Sequence, residues 1–310
     1  MKKRVLNILM AAVMTAALLS GCSSGSSESS DSTAGAAESS DTAEKGSEEN
    51  GDESKVLRVG LECAYPPFNW MQDSPTTPDG TECVPLYNVD GYYAYGYDVA
   101  VAKMVAEELG MELEIHRVEW SSIGISLETG VYDCIISGMG RTAEREMSYS
   151  FTEPYYYRHN CIVVKKDGKY ADVKGLSDLD GTGCVVTTQV GTGWIPLTEQ
   201  IKGAKTGTNY ETIQECFMAI SNGTADVMIV DIPGAESAAM TNDDLKIIVL
   251  DENDTFTGDD EMVNICIATR KDDTALRDKL QGALDAVGLN NQETMDSIMS
   301  KVITQQPAAN

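Results

Sequence analysis

The chain is poor in histidine, in paired cysteine motifs and in positive charge, and each shortage removes a class of function. Only two histidines are present, His116 and His159, and no Cys-x-x-Cys occurs, so no metal-ligand spacing pattern is present and no metal site is expected. Lys and Arg total 23 against 49 Asp and Glu, a formal charge of −26, which excludes nucleic acid as a partner because phosphate binding needs a basic surface. The apolar run from Val5 to Leu19 is too short to span a bilayer as a stable anchor.

What is there begins with that run. Met1-Lys2-Lys3-Arg4 is a basic leader, Val5 to Leu19 its apolar core, and Leu19-Ser20-Gly21-Cys22 a lipobox. Residues 1–22 therefore read as a lipoprotein signal peptide, with Cys22 as the lipidated N-terminus of an exported chain held on the extracytoplasmic face of the cell membrane. Residues 23–54 hold 11 serines and 9 acidic residues against one lysine, Lys45, and no aromatic. Such a segment cannot bury a core and reads as a disordered tether, spanning roughly 30 Å root-mean-square.

Of the eight cysteines, Cys134, Cys161, Cys184 and Cys266 lie in apolar, strand-like runs and read as small buried hydrophobes. Cys63 and Cys83 flank a polar, proline-bearing segment, where a single disulfide stays open as an alternative.

Residues 55–310 are long for one core and suit two lobes. Apolar periodicity predicts alternating strands and helices: a strand over Val56 to Leu61, a helix over Val99 to Leu109 entered at Asp98, a strand over Glu112 to Val118, a helix over Ser122 to Thr129 and a strand over Val131 to Ile136. The plan repeats with a strand over Cys184 to Thr188, a helix over Trp194 to Ile201, another over Glu211 to Ile220, and strands over Asp226 to Val230 and Leu245 to Leu250. A strand over Ile265 to Thr269 and helices over Ala275 to Val287 and Glu293 to Val302 complete it. This is βαβ logic with a largely parallel sheet. The acidic loop Asp251 to Glu261 fails the calcium-loop pattern, because Phe256 stands where glycine is required, and reads as a solvated loop.

The most informative stretch is Ser137-Gly138-Met139-Gly140-Arg141-Thr142-Ala143-Glu144-Arg145. Two glycines let the backbone approach a ligand, amides at the start of a short helix favour an anion, and a guanidinium can hold both oxygens of a carboxylate. A second glycine-rich turn, Gln189-Val190-Gly191-Thr192-Gly193, and Asp231 fall at equivalent strand ends of the other half, where ligands collect in open α/β sheets.

In order and spacing, several motifs resemble those of the periplasmic-type amino-acid-binding proteins of ABC importers, the family that takes polar amino acids. They are Leu57-Arg58-Val59-Gly60, Ala64-Tyr65-Pro66-Pro67-Phe68, Gly96-Tyr97-Asp98-Val99, Trp120, Leu127-Glu128-Thr129-Gly130, Ser137-Gly138-Met139 with Arg145, and Phe151-Thr152-Glu153-Pro154-Tyr155-Tyr156. The resemblance implies an α/β, two-lobed fold with a ligand cleft between lobes and a two-strand hinge. Lobe 1 would comprise 55–158 and 263–310 and lobe 2 159–262, with crossings near Arg158 and Val263.

It implies Arg145 as partner of the ligand's α-carboxylate, helped by amides at Gly140, Thr192 and Gly193. Asp231 would meet the α-ammonium with the Gly138 carbonyl beside it, and Tyr65 and Trp120 would clamp the side chain. Glu62 stands where some relatives place an acid that meets a cationic side chain; the alternative is that it bonds nearby backbone. Three departures are glycines at 140 and 193 in place of hydroxyl donors, a long segment from Asn69 to Gly96, and a C-terminal tail without the usual tyrosine and tryptophan.

The expected function is capture of an amino acid by hinge closure and delivery to an ABC permease, by a lipid-anchored monomer with no cofactor. Two alternatives are a cyclohexadienyl-type dehydratase on the same fold and a ligand sensor for a separate membrane receptor. Neither Glu62 nor Glu153 has an evident catalytic partner, so no catalytic residue is expected.

Overall fold

The computed structural model describes residues 55–258 and 263–307. The leader, the lipobox cysteine Cys22 and the acidic tether lie outside the described residues, as does the end of the acidic loop.

Val56–Leu61 forms a strand of a first five-stranded sheet because Leu57, Val59 and Leu61, which share one face, are all fully buried. It pairs in parallel with Glu112–Arg117 and with Cys134–Ile135. Ala268–Arg270 and Tyr149–Phe151 then extend the sheet in antiparallel sense. The second five-stranded sheet runs Lys205–Thr206, Val185–Thr187, Val227–Asp231, Asn160–Lys165, Leu245–Ile248. Its Asn160–Lys165 strand is antiparallel to both neighbours, placing Asn160 opposite Asp231. Both sheets are therefore mixed, which corrects the expectation of a largely parallel arrangement.

Between the sheets run two short paired strands, Tyr156–Tyr157 and Asn264–Ile265. The amide of Arg158 continues that ladder by donating to the Val263 carbonyl at 2.8 Å. The expected single strand over Ile265 to Thr269 is thus two strands, one in this connector and one in the first sheet.

Other expectations need correction. The strand predicted from Val131 shortens to Cys134–Ile135, because Val131 is 47% exposed while Tyr132 turns inward to donate its hydroxyl to the Ile123 carbonyl. The segment predicted as a helix from Trp194 is a 3-10 turn over Pro196–Gln200, since proline cannot donate to the preceding turn. Asp98 lies inside the helix Tyr97–Glu108, with Gly96 as the residue that enters it. The helix Ile232–Ala239 was not anticipated; Asp231 caps it by accepting the Gly234 amide at 2.8 Å, with Pro233 in the first turn.

The long segment from Asn69 to Gly96 builds most of a four-stranded antiparallel sheet, in the order Ala64–Tyr65, Asn69–Gln72, Tyr93–Tyr95, Val84–Pro85. The C-terminal helix Gln292–Thr304 is tied to it by buried Gln305, which accepts from the Tyr95 hydroxyl at 3.0 Å and donates to Asp79 and Thr81 at 2.7 and 2.8 Å. All seven cysteines from Cys63 onward are free and buried, Cys63 and Cys83 included. No helix among the described residues is long and apolar enough to cross a membrane.

Candidate functional site

The first glycine turn is held from below and behind. Ser137 accepts the Glu62 amide at 3.0 Å, and Gly138 has φ 62°, with space for no side chain: a Cβ there would lie 2.7 Å from the Tyr65 ring. Beneath it Asp98 accepts from Tyr155 at 2.7 Å and from Asn69 at 2.8 Å; burial raises its carboxyl to about 7 and these hydrogen bonds oppose the rise. The turn's far end pairs with the returning chain, where Gly140 bridges Ile265 and Cys266 donates to Met139 at 3.0 Å. Thr142 then caps the short helix Ala143–Glu146 through the Arg145 amide at 3.2 Å.

From that helix Arg145 reaches across the cleft. Its guanidinium donates to the Gly140 carbonyl at 2.7 Å and to the Gly191 carbonyl of the second glycine turn at 3.2 Å, and it lies 5.4 Å over the Trp120 ring. These bonds use two of the five N–H donors that a guanidinium carries. Among the described residues no carboxylate forms an ion pair with it. Burial, reinforced by the charge of Arg158, lowers its pKa to about 10.

Arg158 is the second cation of the site and is 3% exposed. It donates to the Tyr65 hydroxyl at 2.8 Å and to the Gly138 carbonyl at 3.2 Å, lies 4.0 Å from Asp231, and stacks 5.0 Å from the Trp194 ring. Trp194 is fixed in turn by donating to Asn160 at 2.9 Å. Asp231 accepts from the Tyr65 hydroxyl on one oxygen and from the Gly234 amide on the other. The Asp231 and Gly138 acceptors, expected to meet a ligand's ammonium, thus hold side chains of the protein itself.

Glu62 is buried on the opposite side and accepts from Gln189 at 2.8 Å; the same Gln189 amide donates to the Glu211 carbonyl at 2.8 Å. Burial is the main reason its carboxyl is raised to about 8, with Glu211 and Glu119 adding to the rise and Gln189 and Arg117 opposing it. Glu62 is therefore mostly protonated at neutral pH. Thr192 turns its hydroxyl back onto the Gln189 carbonyl at 2.7 Å.

These groups enclose one pocket, lined by Glu62, Tyr65, Trp120, Ser137, Gly138, Arg145, Arg158, Gln189, Thr192 and Trp194. The free volume between them is about 10 Å³, room for about one water. Of the sequence-predicted residues, Glu62, Tyr65, Trp120, Gly138, Arg145 and Thr192 come together on its wall. Gly140, Gly193 and Asp231 do not: Gly140 serves the wall through its carbonyl, and Asp231 stands behind Tyr65 and Arg158. Sequence reasoning missed Arg158, Gln189, Ser137 and Trp194 as wall residues. Position was the available signal, since Arg158 follows the predicted crossing and Trp194 follows the second glycine turn.

Residues 57–305 match the model of the bacterial extracellular solute-binding proteins, family 3. The chain is 28% identical over 256 residues to the arginine-binding extracellular protein ArtP of Bacillus subtilis, covering 80% of this chain and 87% of that one. It is 31% identical over 241 residues to ABC transporter arginine-binding protein 1 of Escherichia coli, covering 76% and 86%. An ancestral arginine-binding protein bound to arginine superposes with a TM-score of 0.62 at 27% identity, covering 80% of this chain and 97% of that one. These relatives are named as binding proteins. With the two-sheet architecture and the match over nearly the whole described chain, this protein belongs to the bacterial extracellular solute-binding proteins, family 3.

Proposed function

We propose that this protein captures a free amino acid outside the cytoplasm, closes on it and presents it to an ABC importer, while a lipid on Cys22 holds it at the membrane and residues 23–54 act as its tether. The carrying observation is Arg145: a half-buried guanidinium that spans the two glycine turns, donates to a carbonyl of each, and keeps donors for a carboxylate. The lobes 55–158 with 263–310 and 159–262 would rotate about the paired strands Tyr156–Tyr157 and Asn264–Ile265. Ligand would bridge the two walls and so favour the closed form. An ammonium would approach Asp231 and Gly138 by displacing Arg158 from them, while Trp120 and Tyr65 bound the side-chain space and Glu62, Gly140, Thr192 and Gly193 complete the surroundings. The names of the relatives support an amino acid as the ligand class, arginine among them.

Thermal denaturation of the full chain against the proteinogenic amino acids and cystine tests this reading. One class should raise the melting temperature, and Arg145→Ala should weaken its binding about 100-fold, the loss of two charge-assisted hydrogen bonds. Chemical turnover of a ligand, or an unchanged affinity in Arg145→Ala, overturns it.

A further inference from the structure

Two guanidiniums line this pocket and the carboxyl groups do not balance them. Arg145 and Arg158 both face the space, whereas the one carboxyl group on the wall, Glu62, is held in its neutral form by burial and Asp231 stands behind the wall. A ligand with a cationic side chain would enter beside two guanidiniums as a like charge.

The pairing of Arg158 sharpens this. It lies 4.0 Å from the carboxylate of Asp231, which an incoming ammonium would claim. Arg158 lies beside Trp194 in a buried position, so a ligand that draws it off Asp231 is favoured if it supplies another anion in return. A second carboxylate on the ligand does so. A ligand without an ammonium would leave Asp231 and Arg158 together and still satisfy both guanidiniums through its two acid groups.

Resting on the reading that this pocket is the ligand site, the geometry points to a ligand with two carboxylates, one held by Arg145 and the other by Arg158, with an acidic amino acid as the expected form. Arg158 is then the residue that sets specificity. It selects for the second acid group and against basic side chains.

Calorimetric titration of the full chain with L-glutamate, L-aspartate, L-glutamine, L-arginine and succinate tests this. Glutamate or aspartate should bind at least about tenfold more tightly than glutamine or arginine, the difference expected for one charge-assisted contact. Arg158→Gln should bring the acidic amino acid and glutamine to within about threefold of one another, and Arg158→Lys should keep the preference. Should Arg158→Gln fail to fold, the ranking on the unaltered chain decides alone. Arginine or glutamine binding more tightly than both acidic amino acids overturns the inference and leaves the proposed amino-acid function standing. Succinate binding with no amino acid bound keeps two carboxylates as the recognised feature and overturns the amino-acid reading. No binding by any of the five overturns both, and a glutamate preference unchanged in Arg158→Gln removes Arg158 from the role.

Discussion

The two arginines of the cleft, one half-buried and one buried, have opposite surroundings. Arg145 comes from a glycine turn and a four-residue helix and is held by two carbonyls, with an aromatic face beneath it. Arg158 comes from the connector between the sheets and is held by a phenol, a carbonyl and the nearby carboxylate of Asp231. The first is a cation still short of an anion; the second already stands near one. On the proposed reading, one charge would stand ready for solute while the other stays tied to the structure until a ligand anion replaces its partner.

The comparison breaks most sharply at Asp231. Asp231→Asn keeps a side chain able to cap the helix Ile232–Ala239 but removes the charge beside Arg158. Stability should fall by about 3 kcal/mol, the usual consequence of stranding one member of a buried pair, read as a lower urea midpoint with an unchanged slope. If Arg158 were as independent of carboxylate as Arg145, the midpoint would stay in place.

Gly138 ties the two arginines together, since its carbonyl receives Arg158 and its turn leads into the helix of Arg145. Gly138→Ala should destabilise by about 2 kcal/mol, from the positive φ and the collision with Tyr65, and should weaken ligand binding with it. Thermal melts and titration together check both effects.

The last expected effect, one that depends on pH, is at Glu62. Its folded-state pKa is raised to about 8 from an ordinary value of 4.5, so the native protein holds a proton that the unfolded chain gives up. Stability from this group is fully present below about pH 4.5 and is lost as pH rises toward about 8. Glu62→Gln should therefore gain stability relative to the unaltered chain as pH rises from about 4.5 toward about 8, differ little from it at pH 4.5, and flatten the profile between, as urea midpoints across that range would show. Asp98, raised to about 7 by burial, contributes in the same sense and remains in the variant.

Local patterns made much of this molecule legible. The strand Val56–Leu61 stands where its apolar residues put it, and helices entered or ended by polar caps and glycines fall within a few residues of expectation. The glycine turn and Arg145 were legible too, because backbone approach and a guanidinium are written side by side. Failures occurred where a residue's environment comes from afar. Val131 and Tyr132 read as strand, but Tyr132 is needed against Gly60, where its ring fills the space a side chain would take. In the sequence Arg158 marks no more than a crossing after three tyrosines, and its burial beside Tyr65 and Asp231, remote in sequence, is what brings it into the pocket wall. Asp231 followed by Ile232 and Pro233 carried the signature of a helix start. Its reading as a ligand group hid that structural duty.

The clasped cleft also bears on speed. With room for about one water between its walls, it must part before any amino acid can enter, so association is gated by an internal motion as well as by encounter. At high solute concentration the observed rate should level off at the rate of parting, and the strength of the protein's own contacts across the cleft then governs how quickly it can respond to a sudden supply.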